Sequence, residues 1–405
     1  MQHLNSSGGK GGRIESPVSP CFSPACAARQ TIEADGQCAA RRPSSRVGRM
    51  IQPVNEPPAD SLERKSPGAW VRQMIGQGVN KAVCSFVLAC AVLSPADAAD
   101  APQFPSRPIK ILIGYGPGGT TDTLARFYAV KLGEILNTPI IIDNKPGASE
   151  LLAALPVMNS AADGYTLWMG TGGALVQNPG IRKDLPYDIL KNFTPIALVG
   201  EAEAVMLVKP DLPVNTLSEL IAYGKANPGK LNYGSGGVGS GNHLWMEYLI
   251  GATGARFTHI PYKSDVEITR DIMAGNVDMT MVTALIALPL LKEGKVKAIA
   301  VTGSQRLKSL PNVPSFSESG IPEIKSKDSY TFFALMGPAG MPTTVVKKLN
   351  EAINKVSMQP DVDQRVRETM QIRPKTITSN EYGQVLKQEV DKWRELGKTI
   401  KIDTL

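Results

Sequence analysis

The sequence is poor in the residues that carry thiol, metal and imidazole chemistry. Its five cysteines, Cys21, Cys26, Cys38, Cys84 and Cys90, all precede residue 99, so residues 99–405 have none. This excludes disulfides, thiolate metal sites and a cysteine nucleophile from that stretch. Two of the three histidines fall within it, His243 and His259. They belong to no metal-ligand spacing, so no metal is expected and a structural or hydrogen-bonding role is the simpler reading. Long hydrophobic runs are also missing: none reaches the roughly 18 residues needed to cross a bilayer. A charge excess of one sign is lacking too. Residues 99–405 hold 33 Lys+Arg against 30 Asp+Glu, which gives no reason to invoke nucleic acid or an anionic membrane as partner. Aromatic residues are only 6% of the chain, and its Trp and Met residues read as core rather than as stacking platforms.

The front of the chain differs in kind. Residues 1–73 are rich in Gly, Ser, Pro, Arg and Ala with no sustained periodicity. Such a composition buries too little apolar surface to offset ordering entropy, so a disordered or mis-assigned extension is expected. Residues 74–98 follow another order: Met74, Lys81, the apolar run Ala82–Leu93, then the small residues of Ser94–Ala101. This is the pattern of a signal peptide, with Ala96-Asp97-Ala98 as the cleavage site, translation starting at Met74 and export to the periplasm. A buried helix or an N-terminal anchor is the plainer alternative. Val87–Cys90 also loosely resembles a lipobox, although Leu88 and the apolar residues after Cys90 argue against lipidation.

The remainder alternates strand-like and helix-like segments. Strands are expected at Ile109–Tyr115, Pro139–Asn144, Tyr165–Thr171, Ala204–Lys209, Val277–Val282 and Lys297–Gly303. Helices are expected at Thr120–Asn137, Leu217–Lys230, Ser264–Gly275, Thr343–Met358 and Ser379–Gly397. Thr378-Ser379-Asn380-Glu381 fits a capping box for the last. Met281–Leu291 reads as a buried strand and turn. The alternation predicts an α/β fold around mostly parallel sheets, with ligands beyond the carboxyl ends of strands.

Two glycine-rich loops have chemical content. Gly116-Pro117-Gly118-Gly119-Thr120-Thr121-Asp122 joins a strand to a helix, where free N–H groups and the helix dipole suit a carboxylate or phosphate. A tight turn without ligand fits the local sequence equally well. Gly114, Gly116 and Gly119 also satisfy G-x-G-x-x-G, with Asp143 ending the next strand, which is formally a dinucleotide fingerprint. Pro117 within the loop and export of the chain count against an NAD-dependent oxidoreductase. The second loop, Tyr233–His243, offers backbone donors plus Ser235 and Ser240 at a helix start. Ser240 is misplaced for G-x-S-x-G, so a nucleophile elbow is unsupported. A flexible surface loop is the alternative.

Ten motifs in order resemble one family. They are YGPGGTTD (115–122), DNKPGA (143–148), DGYTL (163–167), NFTPIALV (192–199), ELIAYGKANPGKLNYGS (219–235), HIPYKS (259–264), GNVDMTM (275–281), KAIAVTGSQR (297–306), LPNVPSFSESGIP (310–322) and GPAGMP (337–342). The chain resembles the solute-binding receptors of tripartite tricarboxylate transporters, the Bug proteins. The resemblance implies a type II periplasmic binding-protein fold: two α/β domains with a ligand cleft between them. Domain 1 would comprise residues 99–206 and 303–405, domain 2 residues 207–302. It implies no catalytic residues and no cofactor, a small carboxylate as ligand, the transporter's membrane components as partners, and a monomer. A sensor role without transport is equally compatible with such a receptor. Carried onto this chain, the ligand residues would be Tyr115, Gly118, Gly119, Asp122, Ala148, Ser149, Thr171, Gly172, Ser235, Gly236 and Ser240. Asp122 would order its loop or receive a water, since two anions repel.

Three departures from the family pattern stand out: Gly114 where proline is usual, Ser149-Glu150 in place of Gly-Gly, and Ser264 in place of the last glycine of PYKG. Glu150 adds a negative charge beside the expected carboxylate loop and is a candidate specificity determinant.

Overall fold

The computed structural model describes residues 103–325 and 330–399. The chain divides into two units, Met1–Pro95 and Ala96–Leu405. All described residues belong to the second. The expected extension over residues 1–73 and signal peptide over residues 74–98 lie outside them.

Among the described residues ten strands form in chain order: β1 Ile109–Ile113, β2 Ile140–Asn144, β3 Thr166–Thr171, β4 Phe193–Val208, β5 Asn232–Ser235, β6 Thr258–Pro261, β7 Met279–Thr283, β8 Lys297–Val301, β9 Tyr330–Pro338 and β10 Arg373–Pro374. Eight longer helices accompany them: α1 Thr120–Leu136, α2 Leu151–Met158, α3 Leu217–Ala226, α4 Gly241–Thr253, α5 Asp265–Met273, α6 Ala284–Lys292, α7 Thr343–Ser357 and α8 Ser379–Thr399.

The strand order is β2-β1-β3-β9-β4-β7-β5-β6, with β8 and β10 also paired to β4. The flanks are parallel, as strand–helix alternation dictates: β1 with β2 and β3, β5 with β6 and β7. The centre is antiparallel, because β9 pairs with β3 and β4, and β4 with β7 and β8. The expectation of mostly parallel sheets is corrected there. Strand β4 is the shared element. Its residues Phe193–Glu203 pair with β9 in a first sheet, and Ala204–Val208 pair with β7 and β8 in a second.

Local sequence explains the elements. In β1 every residue but Lys110 is buried, as expected of a strand with helices on both faces. Helix α1 buries Leu124, Tyr128, Leu132 and Leu136 on one face and stops where Asn137 turns left-handed and donates its N–H to the Gly133 carbonyl. Helix α8 lays Tyr382, Leu386, Val390 and Trp393 into the core. Its start carries the expected capping box: the Glu381 carboxylate accepts the Thr378 N–H at 2.7 Å, and the Glu381 N–H reaches Thr378 Oγ1 at 3.2 Å. The Met281–Leu291 expectation is also corrected. The strand ends at Thr283 and a helix begins at Ala284, whose apolar composition masked the change of period.

Candidate functional site

Strand ends and helix starts from both sheets meet at one cavity of about 90 Å³. From the first sheet's side come Tyr115, Gly119, Thr120, Thr121, Thr171 and Gln177; from the second's, Gly241, Asn242, Trp245, Ser264, Asp265 and Thr283. Ala204 and Thr302, adjacent where β4 and the end of β8 meet, lie along one edge with Thr331 and Phe333.

Four helix starts line this space: those of α1, α4, α5 and α6. Three of them, at Gly119, Ser240 and Thr283, have no side-chain cap. Their first-turn N–H groups and dipoles therefore favour an anion. Among the described residues no Lys or Arg lines the cavity. The Thr120 and Thr283 hydroxyls share a 2.5 Å hydrogen bond between the starts of α1 and α6.

Beneath Tyr115 and Thr171 lies Glu150, fully buried. Its carboxylate accepts from Trp168 Nε1 at 3.2 Å and the Thr171 N–H at 3.2 Å. It also accepts from the Thr171 hydroxyl and from that of Tyr115. Burial pushes the Glu150 carboxyl up to about 7 against these four donors. Burial, together with the charge of Glu150, likewise holds the Tyr115 hydroxyl well above its ordinary value. Asp265, at the first turn of α5, is lifted to about 6 by burial.

The turn that presents Glu150 is strained. Ala148, Ser149 and Glu150 have φ of 47°, 48° and 73°, the left-handed region that favours glycine. The chain keeps a backbone suited to Gly-Gly and hangs side chains on it. The Glu150 side chain occupies the space next to Gly114, where a Cβ would overlap its Cα, Cβ and Cγ atoms. Two of the three departures from the family pattern are thus one contact: loss of a side chain at 114 makes room for one at 150.

The family profile described as "Tripartite tricarboxylate transporter family receptor" matches residues 124–402. The chain belongs to the tripartite tricarboxylate transporter receptor family. It is 38% identical over 270 residues to a UPF0065 protein of Bordetella pertussis, covering 67% of this chain and 82% of that one. Two solved structures from Rhodopseudomonas palustris are each 30% identical over 73% of this chain. MatC with bound malate has a TM-score of 0.69 and is covered completely. Rpa4515 with adipate has a TM-score of 0.68 and is covered to 98%. The fold is therefore that of the periplasmic binding proteins, an α/β fold of two domains.

In this receptor Tyr115, Gly119 and Thr171 line the cavity. The other residues carried over from the family lie around it. The Gly118 N–H goes to Asp122 at 3.0 Å. Asp122 also receives Arg126 and Asn144. Burial alone would raise its carboxyl, but the Arg126, Gly118 and Asn144 hydrogen bonds outweigh that and hold it below the ordinary value. Ala148 is exposed, while Ser149 is buried and donates its hydroxyl to the Val238 carbonyl. Gly172 is buried against Phe332. In the second loop Ser235 is buried against His259 Nε2 at 2.5 Å. The Gly236 N–H and the Ser240 hydroxyl both go to Asn242 Oδ1, at 3.1 and 2.7 Å. Asn242 thus orders the second loop and lines the cavity, yet nothing in its local sequence marked it. Thr120 and Thr121 carried the signal of a strand-to-helix loop. Gln177, Trp245, Asp265 and Thr283 carried no pattern.

The glycines of the G-x-G-x-x-G motif have other duties here. Gly114 faces Glu150, and the Gly116 N–H donates to the Lys263 carbonyl at 3.2 Å, with Ser264 packed against it. A pyrophosphate would have to displace that loop.

Proposed function

We propose that this protein is a periplasmic receptor, not an enzyme, that captures a small carboxylate in the cavity and delivers it to the membrane components of a tripartite tricarboxylate-type transporter. The observation that carries this reading is the convergence of four helix starts on one cavity without a basic side chain. Such a site holds an anion through backbone dipoles and hydroxyls, which desolvate at less cost than a buried ammonium or guanidinium. The relatives that hold malate and adipate support it.

In this reading the two sheets are the cores of two lobes acting as a monomer; the expected bounds, residues 99–206 with 303–405 and residues 207–302, shift slightly, because β4 passes from the first sheet to the second between Glu203 and Ala204. Thr120, Thr121 and Asn242 join Tyr115, Gly119 and Thr171 as ligand contacts. The carboxylate sits at the uncapped starts of α1, α4 and α6, and closure of the lobes excludes water from it.

Mass spectrometry of the solute released from protein purified from its own periplasm, followed by calorimetric titration with that compound, tests the reading. A compound bearing a carboxylate that rebinds with 1:1 stoichiometry is the expected result. No bound acid, and no response to a broad panel of acids, would overturn it.

A further inference from the structure

The cavity holds acceptors as well as donors. Gln177 is 4% exposed, and its Oε1 has no hydrogen-bond partner. Asp265 brings a carboxylate that has no hydrogen-bond partner among the described residues. Glu150 sets a second carboxylate directly beneath, linked to the cavity through Tyr115 and Thr171. A buried acceptor without a partner costs free energy on the order of 1–3 kcal/mol, and a partly desolvated carboxylate costs more. Glu150 also occupies the Thr171 N–H and hydroxyl, donors that an incoming carboxylate would otherwise use. A dianion would place two negative charges beside the Asp265 carboxylate and the Glu150 carboxyl, with no cation lining the space.

These observations are met by a ligand with no net charge. Resting on the reading of the cavity as a carboxylate site, we propose that the solute is an amino-carboxylate, its carboxylate at the helix starts and its ammonium on Asp265 and Gln177. Asp265 and Gln177 then select the ammonium, while Glu150 withholds the Thr171 donors from a second carboxylate. An ammonium on Asp265 also offsets the burial that lifts its carboxyl to about 6.

The test compares matched probes by titration calorimetry and thermal shift on the full chain, stripped of solute by reversible unfolding. The probes are short α-, β- and γ-amino acids set against dicarboxylates of the same carbon number, such as 4-aminobutanoate against succinate. The expected result is at least tenfold tighter binding of an amino-carboxylate than of its matched dicarboxylate. Asp265→Asn should weaken amino-carboxylate binding at least tenfold while leaving dicarboxylate binding unchanged or improved. Gln177→Met, close in volume, provides a second variant should Asp265→Asn fold poorly, with the same direction of effect. Tighter dicarboxylate binding in the parent protein, or a ranking that neither variant moves, overturns this inference and leaves the carboxylate receptor standing. Binding of neither class overturns both.

Discussion

At the level of single residues, Gly114 and Glu150 form a pair that neither position explains alone. Adding a side chain at 114 drives it into Glu150. Gly114→Ala is expected to destabilise by about 1–3 kcal/mol, the usual range for overpacking. Added to Glu150→Gly it should cost less, since only the overlap with the Cα of residue 150 then remains, with a coupling of about 1 kcal/mol or more from a double-mutant cycle in urea. Additive effects would dissolve the pair. His243 and His259 make a second residue-level prediction. Their rings lie 4.2 Å apart, and His243 Nδ1 accepts the Gly239 N–H at 3.1 Å. Burial holds His259 down to about 4, and burial plus the neighbouring His259 holds His243 down to about 3. The folded state thus keeps both rings neutral where the unfolded chain takes up protons. Stability should be complete above the ordinary histidine value near 6.5 and fall as pH drops towards 4. His259→Gln should flatten that loss between pH 7 and pH 5 in equilibrium unfolding.

Elements show how much of the molecule was legible beforehand. Strand β1, the loop at 116–119 and helix α1 could be read directly, because apolar periodicity and glycine placement are local signals. The antiparallel centre could not, since β4 and β9 are far apart in sequence and pairing leaves no mark on either strand. The same division holds for the site. Tyr115, Gly119 and Thr171 stand at strand ends or a helix start, where the fold places ligands. Gln177 and Asp265 face the cavity only because chain segments distant from one another converge there. Helix α8 gives the test at this scale. Its Trp393 packs edge-on against Trp245 of the cavity wall, ring centroids 5.2 Å apart, and Gly180 lies directly beneath it. Trp393→Ala should cost about 3–5 kcal/mol in global unfolding and also weaken ligand binding, because it frees Trp245. Unchanged affinity in the folded fraction would separate the helix from the site.

For the whole molecule, the loops of the two sheets are tied together around the cavity. Thr120 meets Thr283 at 2.5 Å, the Gly116 N–H meets the Lys263 carbonyl at 3.2 Å, and Asn178 Nδ2 meets the Gly239 carbonyl at 2.6 Å. If, as in the proposed reading, a solute enters by parting these contacts, opening should limit exchange. Thr283→Val and Asn178→Ala, which remove two ties, are expected to speed ligand dissociation several-fold in stopped-flow displacement. Dissociation rates equal to the parent's would mean that the ties do not gate the cavity.

The strand that serves both sheets also governs how the molecule can be taken apart. Since β7 and β8 each lean on Ala204–Val208, a fragment cut at residue 209 would lose the backbone that joins its two halves. Any exchange of this middle segment between relatives has to carry those five residues along, or transplant a sheet without its spine.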